Sequence, residues 1–458
     1  MIISKALEGV GLPPISPERP LTANWKIFRA AIVIGACSVV AKFAATGKEL
    51  AVAAWFARGD ALDAFLIAMM LPTTLVGLIA GSFSGALIPT YIHIRENRGQ
   101  KAAEELFSNV QVLSLMLLVV ATTVLGLGAS YYLPLLGSGF GSAKLLLTRR
   151  LLYMLLPFLV LNGTLSVWSS ILNAGERFTL PALTPMVTPL VVILALLILG
   201  RVWGIFAIAV GTIAGGILEV TLLGWAMHAQ RISLRPRWYG FNPELRLVMR
   251  QYGPMIAAAL LMGTSPIIDQ AMAAMLKSGS VAALSYGNRI ASTITVLCAG
   301  ALSAAILPYL SQMVAKKDWS GCRRTLRVYS LLVLAVTIPI TIGLIACSRP
   351  LVRLLYQRGA FTEEDTVAVS GVQLFFAILI PFYTWAVLFV RLLSSLNRND
   401  LLAYCAVMNV CLNVLFNFIL MRRFGVAGIA LSTSLVYLIS CMFLGFWALK
   451  LLREQESG

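Results

Sequence analysis

Eight ionisable residues stand inside long apolar runs: Lys42, Lys48, Glu49, Asp63, Glu219, Asp269, Arg289 and Arg391. In lipid such a group costs about 2.5–3.5 kcal/mol at mid-bilayer on insertion scales, so it faces protein or a watery cavity. Lys42 and Lys48 lie six residues apart with Glu49 adjoining, and Arg289 supplies a cation far along the chain. Arg offers a planar fork to phosphate and Lys a compact point charge, so this set suits an anionic head group. Lys42, Lys48 and Arg289 are therefore the candidate ligands, with Glu49 neutralising Lys48 when no ligand is bound. Asp63, Glu219 and Asp269 are candidate coupling groups or charge partners. Asp63 and Asp269 fall near span ends, where capping competes with that role; Glu219 equally suits pairing with a basic neighbour. Arg391 suits snorkelling to an interface.

Other chemistries fail on spacing. Thr46-Gly47-Lys48-Glu49 has a Gly-Lys pair, but the glycine a phosphate-binding loop needs five residues before Gly47 is Lys42, which excludes nucleotide hydrolysis. Seven scattered cysteines and two separated histidines, His93 and His228, provide no metal-ligand spacing. No nucleophile, base and orienter stand together. The pattern is that of a carrier rather than an enzyme, with no cofactor, and with ion or membrane-potential coupling as its energy source.

The elements holding these residues must be membrane helices. Of 458 residues 59% are hydrophobic and 12% charged, against about 25% charged in soluble domains. At about 20 residues per crossing, the apolar runs predict an all-α membrane protein of about 12 spans. These cover 27–56, 62–92, 107–136, 150–173, 180–200, 202–228, 251–276, 281–312, 327–355, 367–395, 401–421 and 425–449. Spans longer than 25 residues predict tilt or kinks, and Thr46-Gly47-Lys48-Glu49 predicts a break in the first. Residues 1–25 lack the pattern of a cleavable signal peptide.

The net charge of +17 resides mostly in loops, which fits anionic lipid rather than nucleic acid. Lys and Arg favour one side of the spans roughly two to one, placing both termini in the cytoplasm of a bacterial inner-membrane protein.

The chain also matches itself at an offset of about 220 residues. Gly81–Pro89 parallels Gly300–Pro308, Pro157-Phe158 leading to Asn173 parallels Pro381-Phe382 leading to Asn397, and Trp203–Ala209 parallels Phe424–Ala430. Two six-helix halves in tandem follow, and because six is even they form a parallel repeat around a central cavity. The expected division is a cytoplasmic segment 1–25, a first half 26–228, a basic linker 229–250, a second half 251–450 and a tail 451–458.

Five stretches follow in order along the chain: Asp63-Ala-Phe-Leu-Ile-Ala with Leu71-Pro72, Phe83–Pro89, Ile171–Pro181, Gly279–Arg289 and Arg358–Thr366. Together they resemble the MviN/MurJ lipid II flippase family, within the superfamily that holds polysaccharide exporters and multidrug (MATE) antiporters. The resemblance runs from about residue 36 to 430. It implies alternating-access translocation of a polyprenyl-diphosphate-linked saccharide. It also implies that Lys42 and Lys48 take the places of two cavity arginines and Glu49 that of an aspartate, while Asp63 and Arg289 match. Membrane lipids and envelope polysaccharide synthesis enzymes are the implied partners. Departures are Val76-Gly77 in place of a paired arginine, Asn288 and Ser292 around Arg289, and an end after about twelve spans where relatives commonly have fourteen. These leave lipid II and an exopolysaccharide or O-antigen repeat unit both open as cargo. A cation-coupled drug antiporter and a scaffold for polysaccharide synthesis are the competing readings.

Overall fold

The computed structural model describes residues 23–230, 232 and 234–457. The segment 1–25 therefore lies almost wholly outside the described residues. The first half comprises α1 (Ala23–Phe56), α2 (Asp60–Val76), a π-helical turn (Gly77–Gly81), α3 (Ser82–Arg98), α4 (Gln100–Leu136), α5 (Ser142–Leu155), α6 (Pro157–Ala174), α7 (Thr179–Leu183), α8 (Val187–Trp203) and α9 (Phe206–Ala229). The second comprises α10 (Pro243–Ala274), α11 (Ser280–Ala315), α12 (Trp319–Ala346), α13 (Ser348–Tyr356), α14 (Glu363–Ala377), α15 (Leu379–Ser395), α16 (Asn399–Phe424) and α17 (Val426–Ser457).

Every expected span coincides with a helix or a broken helix. Among the described residues, nine helices meet the length and apolarity needed to cross a bilayer, or ten counting α5 and α6 as one span bent by 41°. The long helices α1 and α11, which carry Lys42, Lys48, Glu49 and Arg289, stand beside that set. The protein is all-helical, as its composition requires.

The break expected in the first span is absent: α1 runs unbroken through residues 46–49. The Thr46 hydroxyl donates to the Lys42 carbonyl at 2.9 Å, one turn back, so its polar group is satisfied without leaving the helix. Distortion falls instead in the second span. There Pro72 and the π-helical turn interrupt a 39-residue stretch, Pro removing a ladder donor and the π turn adding a residue.

The tandem repeat is written in the backbone. Gly204 (φ 53°) and Gly425 (φ 58°) make the same left-handed turn before the last helix of each half, and Glu176 (φ 60°) matches Asn397 (φ 57°). Each half packs its last two spans through small residues. A Cβ on Gly211 or Gly215 of α9 would meet α8 at 2.9 or 2.6 Å, and one on Gly428 of α17 would meet the Leu420 carbonyl of α16 at 2.3 Å.

The basic link between halves is shorter than expected, because α10 starts at Pro243 with Asn242 as its cap, accepting the Leu245 N–H at 2.9 Å. The link is strapped to α4. Ser108 exchanges hydrogen bonds with the Arg237 N–H and carbonyl, and Asn109 accepts from the Tyr239 N–H at 2.7 Å. The start of α10 leans on the first half: Tyr252 stacks on Phe83 with centroids 3.9 Å apart, and Glu244 pairs with Arg98.

Candidate functional site

At the end away from the link, hydrogen bonds and ion pairs join α1 and α2 to the starts of α11 and α14, while at the link end the start of α10 packs on α3. Along α11, residues 281–284, Tyr286 and Gly287 are buried, whereas Asn288 and Arg289 are exposed. Arg289 thus stands where α11 passes from buried to exposed residues. Facing it on α1 is Glu49, which accepts from Lys48 Nζ at 3.1 Å and pairs with the Arg289 guanidinium of the other half. Their side chains are 29% (Lys48), 17% (Glu49) and 50% (Arg289) exposed, so the cluster is lodged yet reachable. Lys42 is exposed on α1, about 9 Å nearer the link end at 1.5 Å per residue.

The second span carries a face stripped of bulk. Thr73, Gly77, Gly81 and Gly85 recur every fourth residue and are exposed, and a Cβ on Gly77 or Gly81 would meet nothing within 4 Å. The π-helical turn lies where the sequence shows Val76-Gly77. Two cations sharing one carboxylate leave a net positive charge, and an incoming anion with two phosphate groups can displace Glu49 from both.

The closed end is a seam of hydrogen bonds. Asp63, 1% exposed, accepts from the backbone N–H groups of Gly279 (2.7 Å) and Ala282 (2.8 Å) and from Lys144 at 2.9 Å. Its carboxylate therefore caps the start of α11 from the opposite half, where the helix dipole favours negative charge. Asp60 joins Lys144 (2.5 Å) to Ser278 (2.7 Å). Arg58 donates to Asp365 at 3.0 Å, and the Ala360 N–H donates to the Ala54 carbonyl at 2.8 Å. Asp365 also closes a capping box with Thr362 at the start of α14, which holds its carboxylate in place.

The remaining two acids stand apart from the Lys48–Glu49–Arg289 cluster. Asp269 on α10 is buried within the second half and accepts from Asn413 (2.9 Å), Asn417 (2.7 Å) and Thr433 (3.1 Å). Asn417 Oδ1 and Gln270 Oε1 are buried beside this set without a partner. Oxygen ligands of this kind suit a small hard cation or a proton. Glu219 accepts the Thr188 N–H at 2.9 Å, at the irregular start of α8, rather than meeting a basic neighbour. Pro185 and the three-residue 3₁₀ turn Thr184–Met186 break the ladder there, so the carboxylate serves a backbone group. Arg391 is half-buried, with its Nε enclosed and unpartnered, where sequence suggested snorkelling.

Sequence reading missed Arg58, Lys144 and Asp365, which look like ordinary loop charges, and Asn413, Asn417 and Thr433. The latter had a legible signal: two asparagines four residues apart on one face of an apolar helix. Among the described residues no group of three or more His, Cys, Asp or Glu could hold a metal ion.

Comparison with known proteins agrees with this architecture. The family model described as "Lipid II flippase MurJ" matches residues 52–457. A probable lipid II flippase MurJ of Synechocystis is 25% identical over 433 residues, covering 91% of this chain and 80% of its own. One of Thermotoga maritima is 26% identical over 399 residues, covering 87% and 80%. Among solved structures, a lipid II flippase MurJ in an inward closed conformation superposes with TM-score 0.75 at 22% identity, covering 92% of this chain and 87% of the other. An inward-facing MATE-family multidrug transporter gives 0.77 at 12% identity, covering 93% and 99%. With the family model spanning most of the chain and the fold shared, this multi-pass membrane transporter belongs to the MurJ family of lipid II flippases.

Proposed function

We propose that the protein moves lipid II, a polyprenyl-diphosphate-linked saccharide, across the bacterial inner membrane for peptidoglycan synthesis. The observation carrying this reading is the single carboxylate of Glu49 shared by Lys48 of one half and Arg289 of the other. Diphosphate binding would replace Glu49 with a stronger acceptor for both cations, drawing on both halves at once. The saccharide occupies the glycine-walled cleft and the polyprenyl tail stays in lipid. Names of relatives support lipid II over exopolysaccharide or O-antigen repeat units as the cargo.

The excess of Lys and Arg toward the link end supports a cytoplasmic position for that end and for both termini. The described conformation then faces inward, its Asp63 seam sealing the outer side. Switching parts that seam and closes the cleft behind the cargo. For energy we propose ion coupling at Asp269, together with the membrane potential. The potential contributes about 2.3 kcal/mol per charge per 100 mV and draws the emptied cationic site back inward.

The test is reconstitution of the purified protein with lipid II and, separately, with a lipid-linked exopolysaccharide repeat, measuring leaflet exchange of each. Selective lipid II exchange that Lys48→Ala and Arg289→Ala each abolish, with both variants folded, is the expected result. Full activity in both variants, or selective exchange of the other lipid, overturns the assignment.

A further inference from the structure

Between the Asp63 seam and Arg289 stands a hydroxyl with nothing to bond. Tyr286 is 3% exposed, and its Oη is buried without a hydrogen-bond partner. Its ring is held by Tyr356 (centroids 5.0 Å apart) and Phe361 (5.9 Å), contacts that a phenylalanine would make equally well. A buried donor left unbonded destabilises the state in which it occurs. Packing in this closed state therefore favours Phe over Tyr at position 286, and the hydroxyl needs another explanation.

Its place on α11 supplies one. Ala282, whose N–H bonds to Asp63, is one turn toward the seam, and Arg289, which pairs with Glu49, is one turn toward the link end. Residues at i, i+4 and i+7 share a helix face. Ala282, Tyr286 and Arg289 thus share one side of α11: Arg289 turns to Glu49 of the first half, and the Tyr286 ring lies on Tyr356 and Phe361, next to the Ala360–Ala54 bond between the halves. Tyr286 is three residues, about 4.5 Å of helix rise, beyond Arg289 in the direction the cargo must leave. A diphosphate held at one phosphate by the Arg289 fork has its second phosphate within a turn of this donor.

We infer that the Tyr286 hydroxyl is a diphosphate ligand of the outward half of the cycle, masked in the inward-facing state and exposed to the cargo as the seam parts. The inference rests on the flippase reading and names a further residue of that same path. It separates two steps: Lys48 and Arg289 capture the diphosphate from the cleft, and Tyr286 stabilises it during the switch.

The experiment is Tyr286→Phe in the full-length protein, reading lipid II affinity in detergent, maximal leaflet-exchange rate at saturating lipid II in proteoliposomes, and Tm. Affinity is expected to stay within about twofold and Tm to hold or rise. The maximal rate should fall about tenfold, the size of a hydrogen bond to a charged group. An unchanged maximal rate overturns the inference, as does a Tm that falls along with the rate, which would make the hydroxyl structural. Wild type that exchanges no lipid II removes the flippase reading itself. An active wild type matched by an equally active Tyr286→Phe removes this inference alone.

Discussion

Arg289 and Glu49 pair across 240 residues of sequence and across the two halves of the transporter, at the level where α11 passes from buried to exposed residues. The pair is part of the closure and, on the proposed function, part of the binding surface. Cargo that takes Arg289 from Glu49 weakens one bond between the halves while making another, which links occupancy to the conformational switch.

Neutralising Glu49 should separate these roles. In Glu49→Gln both Lys48 and Arg289 lose their internal competitor. Affinity for a short-chain polyprenyl diphosphate should rise about fivefold, about 1 kcal/mol for a partly exposed ion pair. The return of the empty carrier should slow, because two uncompensated cations then face each other. Binding isotherms together with multiple-turnover exchange assays read both effects; affinity at or below wild type refutes the competition.

Asp63 governs the seam. Asp63→Asn leaves one backbone acceptor but removes the charge that Lys144 and the start of α11 both face. Breaking a buried pair costs about 3–5 kcal/mol, with Asp60 retaining part of the Lys144 interaction. The expected outcome is a shift toward outward-facing molecules. Spin labels at residues 99 and 317, placed in a background lacking the seven native cysteines, should report a shorter distance at the link end.

Two glycines of the same seam allow a test that leaves charge untouched. Gly279 has φ +79° and Gly359 φ +60°; a Cβ there would meet the Arg58 carbonyl at 2.1 Å and the Ala54 carbonyl at 2.3 Å, respectively. Either Gly→Ala change strains the backbone by about 1–2 kcal/mol and wedges the halves apart only when the seam is closed. The same label pair should shorten in both variants. An unchanged distance with normal transport would show that the seam tolerates the wedge.

Asp269 offers a separable prediction on energy. Asn at 269 keeps a side-chain oxygen for Asn413 and Asn417 and can donate its amide N–H to Thr433 Oγ1, whose hydroxyl also reaches the Ile429 carbonyl, while losing the charge. Asp269→Asn should therefore fold, bind cargo with unchanged affinity and exchange it at a rate no longer stimulated by an imposed Na⁺ or proton gradient. Retained stimulation by both gradients places coupling elsewhere.

Hydropathy, loop charge and the offset repeat were enough for the membrane class, the helical spans and the doubled plan, because a bilayer forces every backbone polar group into a helix. The paired turns at Gly204 and Gly425 needed only the matching glycines to be seen. Lys48, Glu49 and Arg289 stood out for a related reason: charge in an apolar run is costly, so its presence is informative. Tertiary structure alone decided what each charge meets. Asp63 reads as a cap for its own helix and instead caps one that begins more than two hundred residues later. Asp269 found asparagines, and Glu219 found a backbone N–H. Thr46 kept intact a helix whose sequence suggested a break. Cost of burial is a property of one residue and its neighbours in sequence, whereas the partner that relieves that cost is set by which helices pack together.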